Sequence, residues 1–320
     1  MKNMISIVYH CYLVGNWKEI VNEQLNRLKS SGLYDSADII EVTVNLDKTD
    51  KSEFEEVVLD YPKLNVEYFT ENNAEYPGIK KVRELALNHD TKIFYFHSKG
   101  VSNNYDDYYN KTISEEKIKS IKLWRECLEY FLIDKWEECV NLLNEYDNVG
   151  VTCNNNWYWG NFWWSQSSHI QNTEPVGVWG RWAYEDWLNK GSQNVKNYEW
   201  FKFNYNPYLT NISEDWYKKE KKYSGDKIVL HKAFYGTPKF QIDEGYSNTN
   251  LNQGDDVTEI VKELLQKEDN LKFNFNVNNL TMGGDSIPNI KKFLIVEFSY
   301  ESNIDNRYKI GISEEQNFNY

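Results

Sequence analysis

The segment KIFYFHSKGVS, residues 92–102, runs an apolar strand into an imidazole, a hydroxyl, an ammonium and a glycine: His97, Ser98, Lys99 and Gly100. A lysine ammonium neutralises phosphate charge directly. Glycine lets a backbone approach a ligand closely. The tip therefore suits a small anionic ligand; the competing account is a strand that ends in a solvated turn. In WAYEDWL, Glu185 and Asp186 stand side by side. One carboxylate of such a pair can take the proton of an attacking hydroxyl, or the pair only complements the positive end of a helix. In NNNWYWGNFWWSQ, Trp157, Trp159, Trp163 and Trp164 crowd one short stretch. Alternation along a strand would give one aromatic face to a core and one to a cleft. Apolar walls with a few polar groups suit a sugar; core packing alone is the alternative.

These residues need elements to position them. Strand-like runs at 5–14, 38–46, 65–70, 92–100 and 148–154 alternate with helical patterns at 17–32, 52–61 and 77–89. Ile20, Leu25 and Leu28 mark the apolar face of the first helix, and Gly32 its stop. Ser52 with Glu55 predicts the cap of the second, and Pro77 the first turn of the third. Residues 114–147 read as a helical stretch, broken near Asp134. Residues 157–166 and 227–236 read as strands, and 181–191 as a short helix closed by Gly191. Strict alternation predicts an α/β fold with a mostly parallel sheet flanked by helices. Ligands of such sheets bind beyond the carboxyl ends of the strands, where His97 and Lys99 lie. After Gly236 the texture turns Asn-rich, and IKKFLIVEFSY (290–300) is plainly strand. The sequence predicts two domains, 1–236 and a small β-rich accessory domain, 237–320.

Bulk properties narrow the function. The 320 residues carry a formal net charge of −13, which excludes a nucleic-acid partner needing a basic footprint. Aromatic residues make up 16%, with 12 Trp and 24 Tyr, and flat aromatic faces stack on sugars and bases. Cys11, Cys127, Cys139 and Cys153 form no CxxC pair and read as free thiols of a reducing compartment. The start MKNMISIVYH runs straight into a strand, unlike a signal peptide, and no stretch has the length of a membrane span. The expected location is cytoplasmic. His10, His89 and His169 read as structural. No Ser-His-Asp order, P-loop or zinc spacing appears.

FYFHSKGVS, LWRECLEYFL (123–132), GNFWWS (160–165), YEDW (184–187) and VLHKAFYG (229–236) occur in that order. In this the chain resembles a GT-A-type glycosyltransferase of the group that carries HxKG at the fourth strand, seen in large DNA viruses and in bacteria. The resemblance covers residues 1 to about 236. It implies a GT-A-like, Rossmann-type fold and transfer of a sugar from a nucleotide-diphosphate-sugar donor to a saccharide or related acceptor. It implies donor binding by His97, Lys99, Gly100, Arg83, Lys80 and Tyr9, and acceptor binding by Asn161, Trp163 and Trp164. Asp186 or Glu185 would be the catalytic base, and His231 a late metal- or phosphate-touching histidine. Relatives usually carry Asp-x-Asp at the strand tip; His97-Ser98-Lys99 stands there instead, which implies metal-light or metal-free donor binding. No cofactor is therefore certain, with Mn2+ or Mg2+ the metal if one is used and Asp106-Asp107 a displaced site for it. A viral source would place the protein in host cytoplasm or virion. The tail, with DVTEIVKELL and GGDSIPNIKKFLIVEF, resembles a small β domain appended to other transferases. The runner-up reading is a catalytically inactive carbohydrate-binding protein.

Overall fold

The computed structural model describes residues 4–101, 115–154, 157–201, 205–218, 226–237, 253–285, 287–288 and 290–319. The chain divides into two units: Met1–Thr112 with Arg125–Phe203, and Ile113–Trp124 with Asn204–Tyr320.

In the first unit, the apolar runs of the inner strands are buried on both faces, as parallel sheets covered by helices require. Strands β1 (Met4–Tyr12), β2 (Ile39–Asn45), β3 (Leu64–Phe69) and β4 (Thr91–His97) pair in parallel in the order β3-β2-β1-β4. Helices α1 (Trp17–Ser30), α2 (Leu33–Ser36), α3 (Lys51–Val57) and α4 (Tyr76–Asn88) fill the crossovers. Helix α1 buries Ile20, Leu25 and Leu28, the face read from the sequence. The cap of α3 is Asp50, not Ser52: its side chain accepts from the Ser52 amide at 2.8 Å. Asp50 stands two residues earlier and is as good a capping acceptor as serine.

Beyond β4, α5 (Glu115–Glu129) leads through a π-helical turn, Tyr130–Asp134, into α6 (Trp136–Leu142), so the expected break at Asp134 is present. Strand β5 (Asn148–Gly150), a short hairpin of β6 (Cys153–Asn154) and β7 (Trp157–Tyr158), β8 (Trp163–Gln166), α7 (Ser167–Gln171) and β9 (Asn197–Glu199) complete the unit. The sheet order is β3-β2-β1-β4-β8-β5-β9, with β8 antiparallel to both neighbours. This is the mostly parallel, helix-flanked arrangement that the alternation of strands and helices predicts. Residues 181–191 do not form the expected α-helix. They make two 3-10 turns, Arg181–Tyr184 and Trp187–Asn189. Side-chain bonds to the backbone compete with a helix here: the Tyr184 hydroxyl accepts from the Trp179 amide at 2.8 Å, and Trp187 Nε1 donates to the Glu174 carbonyl at 2.9 Å.

The second unit holds an antiparallel sheet in the order β11-β10-β13-β14, from β10 (Ile228–Thr237), β11 (Gln253–Asp256), β13 (Phe293–Tyr300) and β14 (Asn303–Ser313). Helices α8 (Glu214–Tyr217) and α9 (Thr258–Gln266) and a two-stranded ribbon of β12 (Asn274–Asn276) and β15 (Asn317–Asn319) accompany it. Tyr235, Val261, Leu265, Phe273, Phe298 and Phe318 share one core. The second unit takes up the chain again at Asn204, so residue 236 falls inside β10 of that unit. VLHKAFYG is a central strand of this sheet, paired with β13 more than fifty residues on.

No helix among the described residues is long and apolar enough to cross a membrane. Cys11, Cys127 and Cys139 are buried and Cys153 half-buried, all as free thiols. Burial pushes the Cys139 thiol up to about 12, so it is inert at neutral pH.

Candidate functional site

Register brings the polar strand ends together. In β1 and β4 His10 stands opposite His97, and in β1 and β2 it stands opposite Thr43. The tip after β4 is held by the backbone of β1. The Ser98 amide donates to the His10 carbonyl at 2.9 Å, and the Tyr12 amide donates to Ser98 Oγ at 3.0 Å. Ser98 is buried by these bonds, while Lys99 and Gly100 are half-buried. Gly100 has φ 97°, the left-handed region where a Cβ is strained, so the turn that presents Lys99 needs glycine.

The first turn of α4 drops a carboxylate onto this edge. Glu75, the residue before the helix, is 17% exposed. Its Oε2 accepts from the Tyr95 hydroxyl and from Asn161 Nδ2, both at 2.7 Å. Its Oε1 lies 4.0 Å from His97 Nε2. His97 Nε2 is 2.9 Å from the Gly160 carbonyl, and a carbonyl only accepts, so Nε2 carries a proton and donates it there. Burial opposes the charge of Glu75. The neighbouring His97, the Tyr95 hydroxyl, His10 and Asn161 together outweigh it, and the carboxyl titrates below its ordinary range. Glu75 is thus ionised at neutral pH. His10, 4% exposed, bonds Thr43 Oγ1 through Nδ1 at 2.9 Å, and burial lowers its pKa to about 4.

Gly78 lets α4 come this close. A Cβ there would stand 2.9 Å from both His10 Cβ and the Tyr95 ring. We expect Gly78→Ala to cost about 1–3 kcal/mol, the usual penalty of forced overpacking. Chemical unfolding of the pair checks this, and equal midpoints would show that α4 lifts freely.

The other face of the same strands carries a buried ionic network. Gln24 accepts from the Tyr9 hydroxyl at 2.6 Å and donates to Glu129 at 2.9 Å and to the His97 carbonyl at 3.2 Å. Arg125 pairs with Glu23 and with Glu129, and reaches the Lys99 carbonyl at 3.4 Å. The carbonyls on either side of Ser98 are therefore gripped from below.

No protein-family model matches the chain, and no curated protein matches it. Among solved structures it is similar to a 4-diphosphocytidyl-2C-methyl-D-erythritol synthase, with 8% identity, TM-score 0.36, and coverage of 62% of this chain and 90% of the synthase. It is also similar to the synthase of that name from Anaerococcus prevotii DSM 20548, with 9% identity, TM-score 0.34, and coverage of 69% and 96%. No residue or activity is carried over from likenesses this distant. The resemblance to the HxKG group stands on its motifs alone.

The expected site residues fall into three groups. His97, Lys99, Gly100 and Asn161 gather at the carboxyl edge. Asn161 is 1% exposed and spends its side chain on Glu75, on Trp163 Nε1 at 2.8 Å and on the Tyr184 carbonyl at 3.5 Å. It thereby ties the segment bearing half-buried Glu185 and exposed Asp186 to Glu75. A second group is structural by position. Tyr9 is wholly buried on the opposite face, stacked on Phe96 at 4.3 Å. Trp163 and Trp164 point to opposite faces of β8, and both are core, against Tyr95 and Phe94. No cleft face remains, because helices cover both sides of the sheet. The half-buried tryptophans of the cluster are Trp157 and Trp159. Arg83 Nη1 donates to the Ile170 and Thr173 carbonyls at 3.3 and 2.9 Å, and exposed Lys80 pairs with Glu84 at 3.7 Å. The third group is His231 alone, which belongs to the second unit and bonds Ser299 Oγ at 2.8 Å. Asp106 and Asp107 lie outside the described residues. Among the described residues no three His, Cys, Asp or Glu side chains group as metal ligands. Sequence reasoning passed over Glu75; its one signal is an acid two residues before the proline that starts a helix.

Proposed function

We propose that the protein is a glycosyltransferase that takes its sugar from a nucleoside-diphosphate donor. The observation that carries the reading is the β4 tip. Ser98 is locked into the β1 edge and Gly100 turns left-handed, so Lys99 is presented at the carboxyl ends of a parallel sheet beside His97. There its ammonium would compensate the diphosphate. The acceptor oxygen bonds to the anomeric carbon as the bond from that carbon to the diphosphate oxygen breaks. The leaving diphosphate keeps the electron pair. The acceptor's proton passes to a carboxylate, for which Asp186 or Glu185 is proposed if configuration inverts. The acceptor is proposed to be a saccharide.

Calorimetric titration with UDP, GDP and dTDP, with and without Mn2+, tests this. One of them is expected to bind, and Lys99→Ala to weaken it roughly tenfold, since a hydrogen bond to a charged group is worth about 1.5–3 kcal/mol. Binding of none sinks the reading. Sugar binding on an array without nucleotide binding would favour the inactive carbohydrate-binding alternative.

A further inference from the structure

Glu75 has work left over. A carboxylate drawn this far from water costs free energy unless its lone pairs are used. Oε2 is saturated by the Tyr95 hydroxyl and Asn161 Nδ2, each at 2.7 Å. Oε1 has no hydrogen bond among the described residues, and its distance to His97 Nε2 is 4.0 Å. The proton on His97 Nε2 does not serve it, being aimed at the Gly160 carbonyl at 2.9 Å. The carboxylate is nonetheless held rigidly. Gly78 seats α4 against β1 and β4, and Asn161 is itself fixed by the Trp163 indole. A fixed, ionised oxygen with an open lone pair, reachable from the edge where a ligand of this fold class binds, is an acceptor waiting for a donor group.

The electrostatics narrow what that group is. A phosphate is repelled by the carboxylate. The His97 ring, at 4.0 Å, narrows the approach to Oε1, and a neutral donor group supplies the hydrogen bond that Oε1 lacks. A hydroxyl fits. We propose that Glu75 Oε1 accepts a hydrogen bond from a hydroxyl of the sugar on the nucleotide donor, which makes Glu75 a specificity-determining residue. This rests on the nucleotide-sugar reading above. Lys99, two residues past His97, then draws the diphosphate while Glu75 turns it away, and the donor is oriented between opposite charges.

The test compares each nucleoside diphosphate with its glucose, galactose and N-acetylglucosamine conjugates by calorimetry, in the full chain and in Glu75→Gln. Glutamine keeps an acceptor for Tyr95 and Asn161 but puts a donor where Oε1 was. The parent protein is expected to bind one conjugate at least tenfold tighter than the free diphosphate. Glu75→Gln is expected to erase that difference and to leave the diphosphate affinity no weaker than in the parent, since a repelling charge is removed. A difference that survives the substitution, the lack of any such difference in the parent, or an equal loss for diphosphate and conjugate overturns the proposal. If no diphosphate binds at all, the transferase reading has failed and takes this inference with it. Should Glu75→Gln not fold, Glu75→Asp and deoxy-sugar conjugates on the parent protein decide. One deoxy position is expected to cost about tenfold, and no loss at any position overturns the assignment.

Discussion

Glu129→Ala is expected to destabilise the protein by about 3–5 kcal/mol, the usual cost of stripping one partner from a buried ionic cluster. The Glu129 side chain is 3% exposed and Arg125 4%. Oε2 pairs with Arg27 at 3.2 Å, Oε1 pairs with Arg125 at 3.4 Å, and Oε1 accepts from Gln24 at 2.9 Å. Burial holds the Glu129 carboxyl above its ordinary range in spite of both arginines. The cluster therefore repays desolvation only in part, and its removal as a unit should cost far less than removal of one member. The double variant Arg125→Met, Glu129→Leu is expected to recover most of the loss, which urea unfolding of the single and double variants would show. A double-variant loss equal to the sum of the single losses would mean that the two side chains act independently. The Lys18–Glu53 pair is shorter, at 2.7 Å, yet lies about half exposed on both sides, and its removal should leave the midpoint nearly unchanged. The cluster also has a functional consequence. Gln24 and Arg125 bind the carbonyls of His97 and Lys99, so on the proposed transferase reading Glu129→Ala weakens donor binding along with the fold.

What the sequence makes legible here is whatever local patterning decides. Strands β1 and β4 are largely apolar runs because both their faces are covered, and the alternation of strands with helices marks a parallel sheet. The break at Asp134 and the polar tip at 97–100 are local as well. What depends on a distant partner is not legible. β10 reads correctly as an apolar strand, but its neighbour β13 begins at Phe293, so nothing within the strand says which sheet it joins. Trp163 and Trp164 suggest a cleft wall until β8 is seen between β4 and β5, in the middle of the sheet. Residues 181–191 carry a helical pattern that the Tyr184 hydroxyl and the Trp187 indole override through bonds to the backbone. At the candidate site the tip residues could be named, but Glu75 could not. It sits in the polar stretch ENNAEYPG, and only folding sets it beside His97 and Asn161, residues 22 and 86 positions away. A carboxylate of this kind carries no motif, because its role comes from who surrounds it.

Acidification should weaken the fold at the Glu75 edge through His10. In the folded chain burial lowers this imidazole to about 4, against 6.5 for the free group. The unfolded chain therefore takes up a proton first as pH falls. Stability linked to His10 is fully present above about pH 6.5, falls as pH drops through the window from 6.5 to 4, and is exhausted below it. Near pH 4.5 the linked loss amounts to about 2–3 kcal/mol, from a shift of this size at about 1.4 kcal/mol per pH unit. The groups facing the ring favour this account. Thr43 Oγ1 takes Nδ1, His97 lies alongside and opposes a second positive charge, and Glu75 supplies the one opposing charge that would stabilise a protonated ring. Because Glu75 itself titrates low, it stays ionised through most of the window and adds little slope of its own there. His169, likewise lowered by burial, adds to the total slope, so a variant is needed to isolate His10. His10→Asn should be less stable than the parent at pH 7.5 and lose about 2–3 kcal/mol less on going to pH 4.5, as read from urea unfolding at the two pH values. Parallel pH slopes for the two proteins would mean that burial does not lower the His10 imidazole in the folded state.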